Sequence, residues 1–176
     1  LSAEALQTAT PYLDAANVDL KAFSDDFYRE QCGARLEPVL GTLRRMKRLG
    51  IWVEVTTLII PGLNDDPGEL RQLAAFIADD LGVDTPWHVS RFHPTYRLTD
   101  RPPTPVDTIM KARQIGIDAG LRYVYCGNIP GRGGEDTICS NCGQTVIARQ
   151  GFTVRQHLLN KARCKACDEP VPGIGM

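Results

Sequence analysis

The sequence contains no apolar run approaching the roughly 20 residues that a membrane-spanning helix needs. No basic stretch followed by an apolar core opens it, so no secretory signal is read there. Neither charge is in excess: 20 Lys and Arg stand against 21 Asp and Glu, a net charge of −1. That balance excludes a chain-wide surface for polyanions. No glycine-rich phosphate fingerprint follows a predicted strand, which disfavours nucleotide binding of the dinucleotide or P-loop kind. Neither a nucleophile elbow nor an HExxH pair is present. Cysteine is scarce over residues 1–138, where Cys32 and Cys126 stand alone.

What is present is an ordinary globular composition, 43% hydrophobic and 23% charged over 176 residues. It excludes a disordered or fibrous chain and suits one compact domain with a small appendage. The charge is uneven. Residues 1–138 carry 15 Lys and Arg against 19 Asp and Glu, whereas 139–176 carry 5 against 2. The shift coincides with the remaining four cysteines. Clustered thiols beside a cysteine-poor, enzyme-like segment point to metal binding in a reducing, cytoplasmic setting rather than to a disulfide framework.

Helical spacing of apolar residues predicts helices near the start, over 36–46, over 70–81 and over 106–119. β-branched apolar runs predict strands at 17–22, 51–60, 87–92 and 122–125. Strands alternating with helices need crossover connections and build a parallel sheet. Four strands are too few for a closed eight-stranded barrel, which takes about 250 residues. A small open sheet or the later strands of a larger barrel is therefore expected, and a start at Leu1 inside a helix favours the second. Residues 1–130 are assigned to this unit and 131–176 to a linker and a cysteine module.

That module has the pattern Cys139-x-x-Cys142, 21 residues, Cys164-x-x-Cys167. Two residues between thiolates let one tight turn present both sulfurs to one ion, and two such knuckles match a closed tetrathiolate zinc site. The same ligands allow iron or an iron–sulfur centre, or a redox dithiol pair. About 40 residues have too small a core to fold alone, so the metal is expected to supply folding energy. Gly143 helps the first turn, and 131–134 reads as a linker. His157 reads as a surface residue.

Ligands of parallel α/β folds sit at the carboxyl ends of strands. Asp19 and Lys21, two apart, would face one side there, as a ligand site or as a simple ion pair. Glu54 lies among apolar neighbours and shares a face with Thr56, so its carboxylate needs a partner or a ligand. His88 and His93 flank the end of the third strand beside Ser90 and Arg91. Each is either a structural histidine or a proton-transfer or ligand-binding group.

The segments V-D-L-K-A-F (18–23), T-T-L-I-I-P-G-L-N-D-D (56–66), P-W-H-V-S-R-F-H-P (86–94), Y-C-G-N-I-P-G (125–131) and the paired C-x-x-C motifs occur in one order. Together they resemble the radical S-adenosylmethionine enzymes related to pyruvate formate-lyase activating enzyme, and most closely the AmmeMemoRadiSam system group. The resemblance implies a fold: later strands of a partial (β/α)6 barrel plus a zinc-ribbon-like module. It also implies S-adenosylmethionine and a [4Fe-4S] cluster as cofactors, with reductive cleavage to a 5′-deoxyadenosyl radical followed by hydrogen abstraction. Asp19 would match a cofactor-side carboxylate, Lys21 a contact to the S-adenosylmethionine carboxylate, and His93 the histidine approaching from the last strand. Glu54, Thr56 and His88 join them as candidate cofactor-binding residues. An electron donor such as flavodoxin or ferredoxin is implied, with a substrate the sequence does not name, a protein among the options.

The cluster-binding CxxxCxxC motif of that family is absent, and Cys32 and Cys126 cannot replace it. The chain is therefore expected to be the C-terminal part of a longer protein, inactive alone and with an exposed strand edge. The alternative is a non-catalytic zinc-ribbon α/β module acting as a scaffold or weak nucleic-acid binder. The acidic 1–138 segment argues against the latter as a main function.

Overall fold

The computed structural model describes residues 2–129, 131, 134–151 and 153–175. Leu1, Pro130 and, of the 131–134 linker, Arg132 and Gly133 lie outside the described residues. Helix α1 (Ala3–Ala9) is capped by the Ser2 hydroxyl, which accepts from the Ala5 N–H at 3.1 Å, and a 3-10 turn over Thr10–Tyr12 carries Pro11. Then come β1 (Ala15–Asp19), α2 (Asp25–Cys32), α3 (Leu36–Arg48), β2 (Trp52–Ile59) and α4 (Pro67–Phe76), which runs into a π-turn over Ile77–Leu81. Strand β3 (Trp87–Arg91), α5 (Val106–Asp118) and β4 (Val124–Gly127) complete the larger unit.

The four strands pair in parallel in the order β1-β2-β3-β4. Alternation in β2 sets the two faces. Val53, Val55, Thr57 and Ile59 are buried, while Trp52, Glu54, Thr56 and Leu58 are half-buried on the other side. The buried face packs with Trp87 and Val89 against Leu43, Leu70, Leu73 and Ile109 from the helices. Gly116 lets α5 come close. A Cβ there would lie 2.8 Å from Trp87 Cε3, inside van der Waals contact. The Trp87 indole N–H donates to Thr57 Oγ1 at 2.9 Å, and that hydroxyl donates to the Leu20 carbonyl at 2.8 Å. A polar group inside the apolar layer is thus fully used, and it ties the end of β1 to β2.

Three expectations shift. The first strand covers 15–19 rather than 17–22, so Lys21 lies beyond it in a loop. The last covers 124–127 rather than 122–125. Helix α2 was not expected. Its segment D-D-F-Y-R-E-Q-C is short and polar, but Ser24 caps it through the Phe27 N–H, acidic residues fill its first turn, and Gly33 closes it at φ +59°.

The cysteine module contains the antiparallel sheet β5 (Thr137–Ile138), β6 (Thr145–Gln150) and β7 (Thr153–His157), and the hairpin β8 (Leu159–Asn160) with β9 (Arg163–Cys164). Its core is small: Val146, Ile147, Leu159, Val171, Cys139 and Cys164, joined by Tyr123 from the root of β4. His157 is exposed on β7. Among the described residues no helix is long and apolar enough to cross a membrane.

Candidate functional site

At the carboxyl end of β1 the chain is fixed residue by residue. The Leu20 N–H donates to the Thr56 carbonyl at 3.0 Å. The Lys21 N–H donates to Tyr28 Oη at 3.0 Å, and the Lys21 carbonyl accepts from Asn64 Nδ2 at 2.6 Å. The Phe23 N–H donates to Glu69 Oε1 at 2.7 Å. Asn64 is the hub. It is 1% exposed, its second amide hydrogen goes to the Leu58 carbonyl at 2.9 Å, and its oxygen accepts from the Ile60 N–H at 2.6 Å. In sequence, Asn64-Asp65-Asp66 reads only as helix-capping chemistry. Asp66 does cap α4 through the Glu69 N–H, and Asp65 closes the turn through the Gly62 N–H, but Asn64 clamps two strand ends together.

On this clamped loop the Lys21 ammonium meets the Asp19 carboxylate at 2.7 Å, with both side chains about half exposed. The predicted pair exists as an ion pair at the strand end. Exposed pairs contribute about 0–1 kcal/mol, so the ion pair itself adds little to the stability of the loop that presents it.

The open face of the sheet carries a second constellation. Strand register sets Asp19, Thr56, His88 and Tyr125 in one row, with Asn17 and Glu54 in the row below. Glu54 has both partners that its burial requires: Trp52 Nε1–H at 3.2 Å and His88 Nε2 at 2.8 Å. Thr56 donates to Asn17 Oδ1 at 2.8 Å. His88 stacks on Tyr125 with ring centroids 5.1 Å apart. One row higher, Gly127 faces Ser90, where a Cβ would lie 2.5 Å from Ser90 Oγ. His88 and His93 occupy different places. His88 is on the sheet face, whereas His93 is exposed two residues past β3, without a hydrogen bond among the described residues.

The His88 hydrogen bond holds the Glu54 carboxyl below its ordinary value, against the opposing effect of burial. A depressed carboxylate stabilises the fold above its unfolded pKa, about 4.3, and that contribution is lost as pH falls through the lower folded value. Acid titration of stability is therefore expected to show parent and Glu54→Gln separated near neutral pH and converging in strong acid. A gap constant with pH would show that the His88 hydrogen bond does not hold the Glu54 carboxylate in the folded protein.

The cysteine module roofs this face. The Tyr125 hydroxyl and Thr137 Oγ1 are 3.0 Å apart, Arg149 Nη1 donates to Thr137 Oγ1 at 2.7 Å, and the Arg149 guanidinium lies 5.9 Å from the Tyr125 ring centre. The Cys126 N–H donates to the Gly134 carbonyl at 2.8 Å, so chain leading into the module occupies part of the free edge of β4. Between sheet and module lies a cavity of about 750 Å³, lined among others by Trp52, Glu54, His88, Tyr125, Arg149 and Ile174. Trp52, Tyr125 and Arg149 were not singled out by sequence reasoning. Alternation along each strand could have put Trp52 and Tyr125 on the face of Glu54 and His88.

Two knuckles of the same build hold the cysteines. The Cys139 N–H donates to the Gln144 carbonyl at 2.8 Å and the Cys164 N–H to the Glu169 carbonyl at 2.9 Å. The Gly143 and Asp168 N–H groups return to the carbonyls of Cys139 and Cys164 at 3.0 and 2.9 Å. Gly143 and Asp168 both have positive φ, +74° and +60°. The Glu169 N–H holds the Cys167 thiol down to about 7. All four sulfurs lie within 4.8 Å of one another, with Cys139–Cys167 at 3.6 Å and Cys142–Cys164 at 3.8 Å. A disulfide would bring sulfurs to about 2.05 Å. Sulfurs about 2.3 Å from one tetrahedral ion are about 3.8 Å apart. The cluster could therefore hold a metal ion and form a zinc-binding module.

No family model matches the chain. An uncharacterised protein of Methanocaldococcus jannaschii is 50% identical to it over 161 residues, covering 90% of this chain and 48% of that protein. The chain thus spans about half the length of the curated relative it matches. Among solved structures, the crystal structure of a domain of pyruvate-formate lyase-activating enzyme from Bacteroides vulgatus aligns with a TM-score of 0.63. The alignment covers 72% of this chain and 75% of that one at 19% sequence identity. At that identity the likeness shows the fold: a mixed α/β chain built on a parallel sheet, similar to an activating-enzyme domain.

Proposed function

We propose that this chain is the cofactor-facing C-terminal part of a radical S-adenosylmethionine enzyme, of the kind its ordered motifs resemble. The observation that carries the reading is the Asp19–Lys21 pair on a loop clamped by Tyr28, Asn64 and Glu69, at the carboxyl end of a parallel strand. S-adenosylmethionine carries a carboxylate, an ammonium and a sulfonium, so a site for it needs both signs of charge close together. A lysine and an aspartate 2.7 Å apart supply them, and each is exposed enough to exchange its neighbour for a ligand. Thr56, His88 and the Glu54 carboxylate extend the polar face beneath. His93, exposed past β3, is the remaining candidate contact.

The residues of this chain do not fit the [4Fe-4S] cluster. Cys32 and Cys126 lie apart in sequence, one half-buried in α2 and the other buried in β4, and the four tail cysteines are already gathered on one another. The reading requires cluster ligands on polypeptide outside these 176 residues, with an electron donor such as flavodoxin or ferredoxin acting there. For the tail, zinc is the proposed ion. Four thiolates filling a tetrahedron leave it structural.

Lys21→Ala provides the test on this chain. Losing a charge-assisted contact of about 1.5–3 kcal/mol should weaken S-adenosylmethionine binding about 10- to 100-fold in calorimetry. The melting temperature should stay near the parent value, since the ion pair is exposed. Equal affinity in parent and variant would remove Lys21 from the site.

A further inference from the structure

In the cavity between sheet and cysteine module the Glu54 carboxylate is engaged at both oxygens and Glu135 at one, while part of the Arg149 guanidinium is unused. Glu54 uses one oxygen on Trp52 and the other on His88, and Glu135 Oε2 accepts from the Gly151 N–H at 2.9 Å. The Tyr125 hydroxyl is engaged with Thr137. Arg149, by contrast, uses only Nη1, on Thr137 Oγ1 and the Glu135 carbonyl. Its Nε and Nη2 make no hydrogen bond among the described residues. A half-buried guanidinium with one edge free is matched by a planar anion that takes two parallel N–H donors. Beyond the polar floor, Trp52, Pro172 and Ile174 offer an apolar wall.

From this geometry we infer that the cavity binds a small organic carboxylate, its anionic end on the Arg149 guanidinium beside His88 and its apolar body against Trp52, Pro172 and Ile174. The volume, about 750 Å³, falls within the range of about 300–1,000 Å³ usual for small-molecule sites. A protein segment is the poorer fit. The edge of β4, where an extended chain could add by pairing, already carries the Cys126–Gly134 bond, and Thr137 and Arg149 stand over Tyr125. Calling this carboxylate the substrate rests on the function proposed above. Its binding does not, and it is measured without cofactor or reductant.

Phenylacetate and its neutral analogue phenylacetamide are suitable probes, titrated calorimetrically into the metal-loaded chain at neutral pH. Phenylacetate is expected to bind at least about tenfold tighter than the amide. Arg149→Gln should abolish that preference, and Arg149→Lys should keep part of it. Because Arg149 also holds Thr137, a second variant avoids dependence on its folding. Ile174→Glu, at an exposed wall position, removes apolar contact from both probes but adds a charge that opposes only the anion, so it should weaken phenylacetate more than phenylacetamide and narrow the preference. Equal affinity for the two probes, no binding of either at millimolar concentration, or a preference that survives Arg149→Gln or is not narrowed by Ile174→Glu in folded protein would each overturn the inference. Phenylacetate binding intact in a protein that never cleaves S-adenosylmethionine would overturn the functional reading and leave this one standing.

Discussion

Cys164→Ser, or removal of the metal by a strong chelator, should unfold the region from Thr137 to Val171 while the parallel sheet persists. The apolar core there is about half a dozen side chains, two of them cysteines themselves. Structural zinc contributes about 10–16 kcal/mol of apparent binding energy in comparable small modules. Cys164 is 3% exposed and Cys139 1%, so a lost ligand cannot be replaced by solvent without opening the core. The effect should extend one step into the sheet. Tyr123 loses its packing against Val146 and Leu159, and Tyr125 loses Thr137 and Arg149. Hydrogen exchange should show protection lost in β5 to β9 and kept in β2 and β3, with near-UV dichroism from the two tyrosines diminished. Protection unchanged after complete metal removal would mean that the module folds on its own core. Metal analysis belongs to the same experiment. About one zinc per colourless chain is expected, and a coloured iron-containing chain would reassign the four thiolates.

Asn64→Ala should be the most damaging single change in the larger unit. It removes two donors and one acceptor at once, leaving the Lys21 and Leu58 carbonyls and the Ile60 N–H without partners in a nearly closed site. Each buried orphan costs about 1–3 kcal/mol. Water entering the space left by the side chain recovers part, so a total near 3–5 kcal/mol is expected. For a chain of this size that is roughly 6–20 °C in melting temperature. Function should suffer separately, because the Lys21 carbonyl loses its anchor and the ammonium its fixed origin. Asn64→Asp is the informative companion: it keeps the acceptor, loses both donors and introduces a charge, so it should be at least as destabilised. A loss below about 1 kcal/mol in Asn64→Ala, measured by denaturant unfolding, would show that the loop holds without its hub.

The sequence is most legible where chemistry repeats at short range. The two knuckles are written in C-x-x-C spacing, and the structure brings all four sulfurs together. The parallel order follows from β-branched runs alternating with helical stripes, and the shared face of Glu54 and Thr56 follows from alternation alone. Strand ends are less legible because V-D-L-K-A-F carries no Gly or Pro to mark a stop. Pairing, not local conformation, ends β1 at Asp19. The partners are least legible. Nothing local says that Asn64 reaches back to Lys21, 43 residues away, or that Arg149 crosses from β6 to lie by Tyr125. Those contacts depend on which strands become neighbours and on how the cysteine module folds back over the sheet. The different placing of His88 and His93 is likewise not written locally: five residues of separation along and past a strand put one on the sheet face and leave the other exposed.

The most direct measurement is formation of 5′-deoxyadenosine by the protein expressed from its whole reading frame, anaerobically reduced and given S-adenosylmethionine. Turnover is expected in the parent and its loss or severe reduction in Lys21→Ala, with iron and sulfide present in addition to the metal of the cysteine module. A fully folded, iron-loaded protein that forms no 5′-deoxyadenosine, or a Lys21→Ala variant that forms it at the parent rate, would contradict the proposed function.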